Sequence, residues 1–166
     1  FQEVCVANNS ANECCVGDGQ GGFTSTLLPR SDSSYGAIVG DFNGDGIDDV
    51  FVVNFYNRYN VANVEQANEV LLGDGQGGFT STLLPRSDDS SGATVGDFNG
   101  DGIDDVFVAN NNQANEVLLG DGQGGFTSTL LPRSDKSYGA TKGDFNGDGI
   151  DDFFVANYNW QANEVL

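Results

Sequence analysis

Histidine and methionine are absent from the chain, lysine and arginine together number only 6, and proline occurs 3 times. Without histidine, Ser-His-Asp and Cys-His catalytic arrangements and histidine metal sites are excluded. The shortage of basic residues against 25 acidic ones leaves a formal net charge of −19, which argues against nucleic acid or an anionic membrane as partner. No apolar run reaches the roughly 18 residues of a membrane-spanning helix, so membrane insertion is not expected. No signal peptide precedes Phe1, and a mature or cut chain is expected. Helical periodicity is missing as well, and 24 glycines would weaken any helix.

What is present is repetition. The string GDFNGDGIDD recurs unchanged at 40–49, 96–105 and 143–152, and GDGQGGFTSTLLPRSD recurs at 17–32, 73–88 and 120–135. The spacing between acidic strings is 56 residues and then 47, the extra 9 falling between Asn54 and Gln66, where the next copy has only Asn110 to Gln113. An insertion confined to one place belongs to a surface loop of an otherwise constant framework.

In each acidic string the side-chain oxygens fall on alternate residues, a glycine follows, and a further carboxylate closes the string. Calcium takes six to eight oxygens at about 2.3–2.6 Å, and a short loop supplies them by this alternation, with glycine permitting the sharp turn. The expected ligands are Asp41, Asn43, Asp45, the Ile47 carbonyl and Asp49, with Asp97, Asn99, Asp101, Ile103 and Asp105, and Asp144, Asn146, Asp148, Ile150 and Asp152, in the other copies. Asp48, Asp104 and Asp151 are expected to point outward. One Ca2+ per loop, three in all, would move the formal charge from −19 to −13, so folding and calcium are expected to be coupled. A structural role suits three identical sites better than a catalytic one.

Each repeat reads as four short strands. Strand A covers Ala37 to Phe42, strand B Asp49 to Asn54 with its run of β-branched and aromatic residues, strand C Asn68 to Gly73, and strand D Phe79 to Leu84 before Pro85. The glycine-rich stretch from Asp74 to Gly78 is a hairpin turn between C and D. The expected organisation is one array over 1–166: a partial repeat of strands B to D over 1–36, a repeat over 37–92 with its inserted loop 54–66, a repeat over 93–139, and a partial repeat of strands A to C over 140–166. Four-stranded units of this length indicate an all-β chain of tandem antiparallel blades of the β-propeller type.

The acidic string, the apolar strand after it and the glycine-rich hairpin together resemble the FG-GAP/VCBS repeats, the type found in the calcium-binding propeller of integrin α chains. The resemblance covers essentially the whole chain. It implies blades whose first and second strands are joined by the calcium loop, in secreted or cell-surface proteins used for adhesion, recognition or matrix building. Propellers close with four to eight blades, so this chain is expected to be incomplete alone. It is a fragment of a longer propeller, a subunit of a ring, or a unit of an open head-to-tail array, the last being preferred because near-identical repeats make equivalent end-to-end contacts.

Other residues carry two readings each. Cys5, Cys14 and Cys15 are either buried thiols in place of hydrophobes or one disulfide between neighbouring strands with a thiol left over. The B-to-C loops differ between copies and carry aromatics and amides: Tyr56, Arg58 and Tyr59 in the inserted copy, Asn110 to Asn112 in the next, Tyr158 and Trp160 in the last. These groups suit either packing between repeats or recognition of a glycan or cell-surface protein, and Tyr35 and Tyr138, replaced by Ser91 in the middle copy, share that ambiguity. Asn8 opens a single N-glycosylation sequon, Asn8-Asn9-Ser10. Arg30, Arg86 and Arg133 are expected to pair with Asp32, Asp88 and Asp135, and Glu69, Glu116 and Glu164 to lie on a solvated strand face. No convergent catalytic set emerges, and an enzyme is not expected. The first expectation is therefore a non-enzymatic, extracellular, calcium-binding structural or adhesive protein that self-associates; the second is a lectin-like or protein-binding propeller using the B-to-C loops.

Overall fold

A computed structural model describes residues 3–6, 12–28, 33–55, 66–86, 89–158 and 160–166. Among these residues there are 12 strands, all paired antiparallel, and no helix. Strands β1 (Glu3–Val6), β2 (Glu13–Gly17) and β3 (Phe23–Leu27) form a 3-stranded sheet in that order. A 4-stranded sheet follows from β4 (Ser34–Gly40), β5 (Asp49–Asn54), β6 (Glu69–Gly73) and β7 (Phe79–Leu83), again in chain order. This unit reproduces the expected A-to-D repeat, its first strand starting at Ser34 and stopping at Gly40, before the acidic loop.

The remaining strands, β8 (Ser90–Gly96), β9 (Asp105–Gly120), β10 (Phe126–Gly143), β11 (Asp152–Asn157) and β12 (Glu164–Val165), form one 5-stranded sheet in the order β12-β11-β10-β9-β8. Here two repeats run together. The 16-residue β9 spans the equivalents of β5 and β6, turning at Asn112, whose φ is 59°. Without the insertion of the preceding copy, the connection stays short enough to remain laddered to β10 through Ala114↔Ser134, Gln113↔Asp135 and Asn111↔Lys136.

Strand B shows why the sheets stack. Every residue of β5 is buried, because its two faces serve different neighbours. Val50 and Val52 pack with Cys14, Leu28 and Leu71 on one side, while Phe51 and Val53 join Phe42, Val70, Val106, Val108 and Leu118 on the other. In β9 the alternation repeats: Val106 and Val108 face back to the preceding repeat, and Phe107 and Ala109 face forward to Phe153 and Val155. A strand covered on both faces reads as a continuous apolar run. Phe42, at the head of the first acidic loop, packs edge-on against Phe126 of the following repeat at 5.6 Å between ring centroids.

A buried polar chain runs beside this core. Asn12 Nδ2 donates to Ser34 Oγ at 2.8 Å, and Ser34 Oγ donates to Asn54 Oδ1 at 2.6 Å. Asn68 Oδ1 accepts from the Asn54 backbone N–H at 2.8 Å, while Asn68 Nδ2 donates to Ser90 Oγ of the next repeat at 3.0 Å. The pattern continues through Asn110, Asn115, Ser137 and Asn157. Gln66, Gln113 and Gln161 accept from the backbone N–H groups of Ser33, Asp89 and Lys136 at 2.7–2.8 Å, fixing the entry to each strand A. The recurrent Gln-Ala-Asn triplet before strand C is therefore a structural connector.

One expectation is corrected here. Glu69 and Glu116 are 1% and 3% exposed and do not lie on a solvated face. Strand D covers them, and the Ser81 and Ser128 hydroxyls donate to their carboxylates. The Arg86 guanidinium approaches Glu116 of the next repeat at 3.7 Å; Asp88, its expected partner, lies outside the described residues.

Candidate metal centre

Each acidic loop is wound by its own side chains. Asp41 Oδ1 accepts from Gly44 N at 2.7 Å and Oδ2 from Gly46 N at 2.9 Å; Asn43 Oδ1 accepts from Asp45 N at 2.9 Å, and Asp45 Oδ1 from Ile47 N at 2.8 Å. Gly46 has φ 80°, a left-handed conformation that a side chain would strain. The other two loops repeat this winding from Asp97 and Asp144. These backbone N–H groups hold the Asp97 and Asp144 carboxyls below the usual carboxylate range.

The ninth residue of the loop differs from the others. Asp49 is fully buried, its Oδ2 accepting from Phe42 N at 2.9 Å and its Oδ1 from Gly73 N at 2.9 Å, so it ties the loop to the end of β6. Asp105 does the same between Phe98 and Gly120. Burial pushes both carboxyls up, against the lowering effect of those N–H groups, and the charges of the loop's other aspartates add to the rise. Asp152 accepts from Phe145 N at 2.9 Å and from Asn146 Nδ2 at 3.3 Å.

The donor set of each loop consists of carboxylate, amide and carbonyl oxygens, the chemistry that a hard divalent cation takes. In their present arrangement the side chains turn toward the loop's own N–H groups, and among the described residues no three carboxylates stand close enough to form a ligating cluster. Asp41, Asn43 and Asp45 are brought together at the exposed turn, with Asp49 beneath them.

Asp104 is another correction. Instead of pointing outward, its Oδ2 accepts from the backbone N–H of Asp41, in the preceding loop, at 3.0 Å. Asp151 is half-buried and pairs with Lys142 Nζ at 2.8 Å, whereas Asp48 is exposed. A Cβ added at Gly40 would stand 2.9 Å from Asp104 Oδ2 and from the Phe42 ring, which explains the glycine that opens the string.

Of the expected recognition residues, Tyr56, Arg58 and Tyr59 lie outside the described residues, as does Asn8, the expected glycosylation acceptor. Asn110 is fully buried in the polar chain. Tyr158 packs edge-on against Tyr138 at 5.3 Å, and Trp160 is wholly exposed. Tyr35, Asp89, Ser91, Asn111, Asn112 and Tyr138 surround an open cleft of about 320 Å³, which Lys136 and Tyr158 also border. Sequence reasoning did not select Asp89 or Lys136; their signal is that both differ from Ser33 at the same repeat position. Cys14 is disulfide-bonded and faces Cys5 in the β1–β2 register, while Cys15 is a free thiol, as the one-bridge reading required.

Stacked four-stranded antiparallel units, each whole one carrying an acidic loop between its first two strands, define an all-β repeat fold that, among the described residues, is not closed into a barrel. A family model for FG-GAP-like repeats matches residues 1–52, 59–108 and 97–155, and the chain belongs to that family. Such repeats form proteins of the β-propeller type, are generally non-enzymatic and are typical of extracellular or surface proteins. No curated protein matches the sequence at a significant level.

Proposed function

We propose that this protein is an extracellular, non-enzymatic scaffold whose repeats are rigidified by calcium and which self-associates head to tail in a structural or adhesive role. The carrying observation is the position of the acidic loops. The first and second loops meet across a repeat boundary, through the Asp104-to-Asp41 hydrogen bond and the packing of Phe42 on Phe126.

Asp41, Asn43, Asp45, the Ile47 carbonyl and Asp49 would hold the ion in the first loop, and the matching residues in the others. Calcium bound there supplies positive charge against clustered carboxylates. Its binding would favour ionised Asp49 and Asp105, whose burial opposes ionisation. The disulfide at Cys14 supports an oxidising, extracellular setting.

Self-association is supported by the surfaces left open. Phe42 is fully buried under the following repeat, yet its equivalent Phe145 is 53% exposed, and Ile150 and Val165 are exposed beside the same terminal repeat. At the other end Phe23, equivalent to the half-buried Phe126, is 59% exposed. A second copy offers each face the partner that the internal repeats already use. Sedimentation velocity across a concentration series, with calcium and with chelator, tests this. The proposal expects growth in size with concentration that calcium promotes and Phe145→Asp abolishes; a monomer at all concentrations contradicts it.

A further inference from the structure

The three repeats present one residue each at a β-bulge where strand A begins, between Ser34 and Gly36, Ser90 and Gly92, and Ser137 and Gly139. A bulge re-aims a side chain away from the pleat. Those residues are Tyr35, Ser91 and Tyr138. In the outer two repeats the tyrosine packs on an aromatic at the end of strand B: Tyr35 on Phe55 at 4.1 Å and Tyr138 on Tyr158 at 5.3 Å. The middle repeat replaces both members of the pair, with Ser91 for the tyrosine and Asn111 for its partner. The backbone is unchanged, since Phe55, Asn111 and Tyr158 donate equivalent backbone hydrogen bonds to Ser33, Asp89 and Lys136. The volume of the missing aromatic pair is the cleft of about 320 Å³, with an aromatic wall on either side.

We propose that this cleft binds a single pyranose unit of a glycan, held between the Tyr35 and Tyr138 walls over the polar floor formed by Ser91, Asn111 and Asp89. This site goes beyond the scaffold reading and does not depend on it. Its size lies at the lower end of the roughly 300–1,000 Å³ of small-ligand pockets, suited to one ring rather than an extended ligand. Tyr35 and Tyr138 are 62% and 64% exposed, so apolar ring surface is available to the C–H face of a sugar.

The floor offers hydroxyl-recognition groups in a fixed orientation. Asn111 Nδ2 donates to Asp89 Oδ2 at 2.9 Å, and Asn112 Nδ2 donates to Asn111 Oδ1 at 3.1 Å, so carboxylate and amides form one aligned run. Ser91 Oγ is anchored between the Ala109 and Ser137 carbonyls and cannot swing out to refill the space. Among the described lining residues Asp89 and Lys136 carry one charge of each sign, a lining that suits neither a metal cation nor a phosphate.

The repeats themselves supply the test. Ser91→Tyr and Asn111→Phe restore side chains that the neighbouring repeats already carry on the same backbone, so the fold should tolerate them. The labelled full chain is applied to a printed array of neutral and acidic glycans, and the best-retained terminal monosaccharide is then used as free competitor. The expected result is retention by wild type and by Gln76→Ala, an exposed position away from the cleft, loss in Ser91→Tyr and in Asn111→Phe, and about tenfold weakening in Tyr138→Ala. Absence of any retained glycan, undiminished binding by both filled variants, or capture of a polypeptide at the cleft in place of a sugar would overturn it.

Discussion

Asp104 reaches back across a repeat boundary to accept a hydrogen bond from the backbone N–H of Asp41 at 3.0 Å, joining two acidic loops 63 residues apart in sequence. The loops are thus parts of the interface between repeats as well as connections within them. Asp104→Ala leaves the Asp41 N–H without this partner and should lower stability by about 1.5–3 kcal/mol, the scale of a hydrogen bond to a charged group. Asp48→Ala, at the exposed equivalent position, should change it by less than about 0.5 kcal/mol. Urea unfolding of the two variants side by side reads the difference.

The same approach governs Gly40. An alanine there meets both Asp104 Oδ2 and the Phe42 ring at 2.9 Å, while one at Gly36 meets nothing within 4 Å. Overpacking of this kind costs about 1–3 kcal/mol. Thermal unfolding should therefore show Gly40→Ala clearly destabilised and Gly36→Ala close to wild type.

Asn68 carries two links of the buried polar chain, one within its repeat and one to Ser90 of the next. Its truncation to alanine strands the Asn54 N–H and removes a donor from Ser90, a loss of about 1–3 kcal/mol for unsatisfied buried groups. Chemical denaturation should show that loss, against little change for Gln76→Ala, which is exposed and not in a left-handed conformation.

The acid response separates the hairpin turns from the acidic loops. Backbone N–H groups of Gln76 and Gly78 hold the Asp74 carboxyl below its ordinary value of 3.8, and those of Gln20 and Gly22 do so for Asp18. A carboxyl depressed in the folded state stabilises above the unfolded value and loses that contribution as pH falls through the folded one. Asp49 and Asp105 act in the opposite sense, since burial raises them. Comparing Asp74→Asn with wild type cancels the latter pair. The stability gap should be full at pH 6 and should close progressively below 3.8; a gap that persists unchanged into strong acid would argue against the turn hydrogen bonds.

Legibility in the sequence followed the kind of signal. Strand B, the glycine-rich hairpin and the acidic loop were readable because an apolar run, paired glycines and alternate oxygens each leave a local pattern. The roles of Asn54, Asn68 and Ser90 were not, because their partners are distant in sequence and every group involved is a small polar residue common in turns. Glu69 and Glu116 looked solvated by charge alone; only the placement of strand D and of Arg86 reveals why they are buried. The fusion of two repeats into one sheet likewise depends on the short connection through Asn112, a matter of backbone geometry. The cleft was half visible, as Ser91 in place of tyrosine, but its depth required knowing that Asn111 stands opposite.

Calcium titration followed by thermal unfolding tests the central claim most directly. An ion that binds the folded loops and not the unfolded chain adds about 2.7 kcal/mol per site at a free concentration one hundred times its dissociation constant. The account predicts a saturable rise in Tm with calcium, reversed by chelator and reduced in steps as Asp41→Ala, Asp97→Ala and Asp144→Ala are combined. A Tm indifferent to both calcium and chelator in the wild-type chain would contradict it.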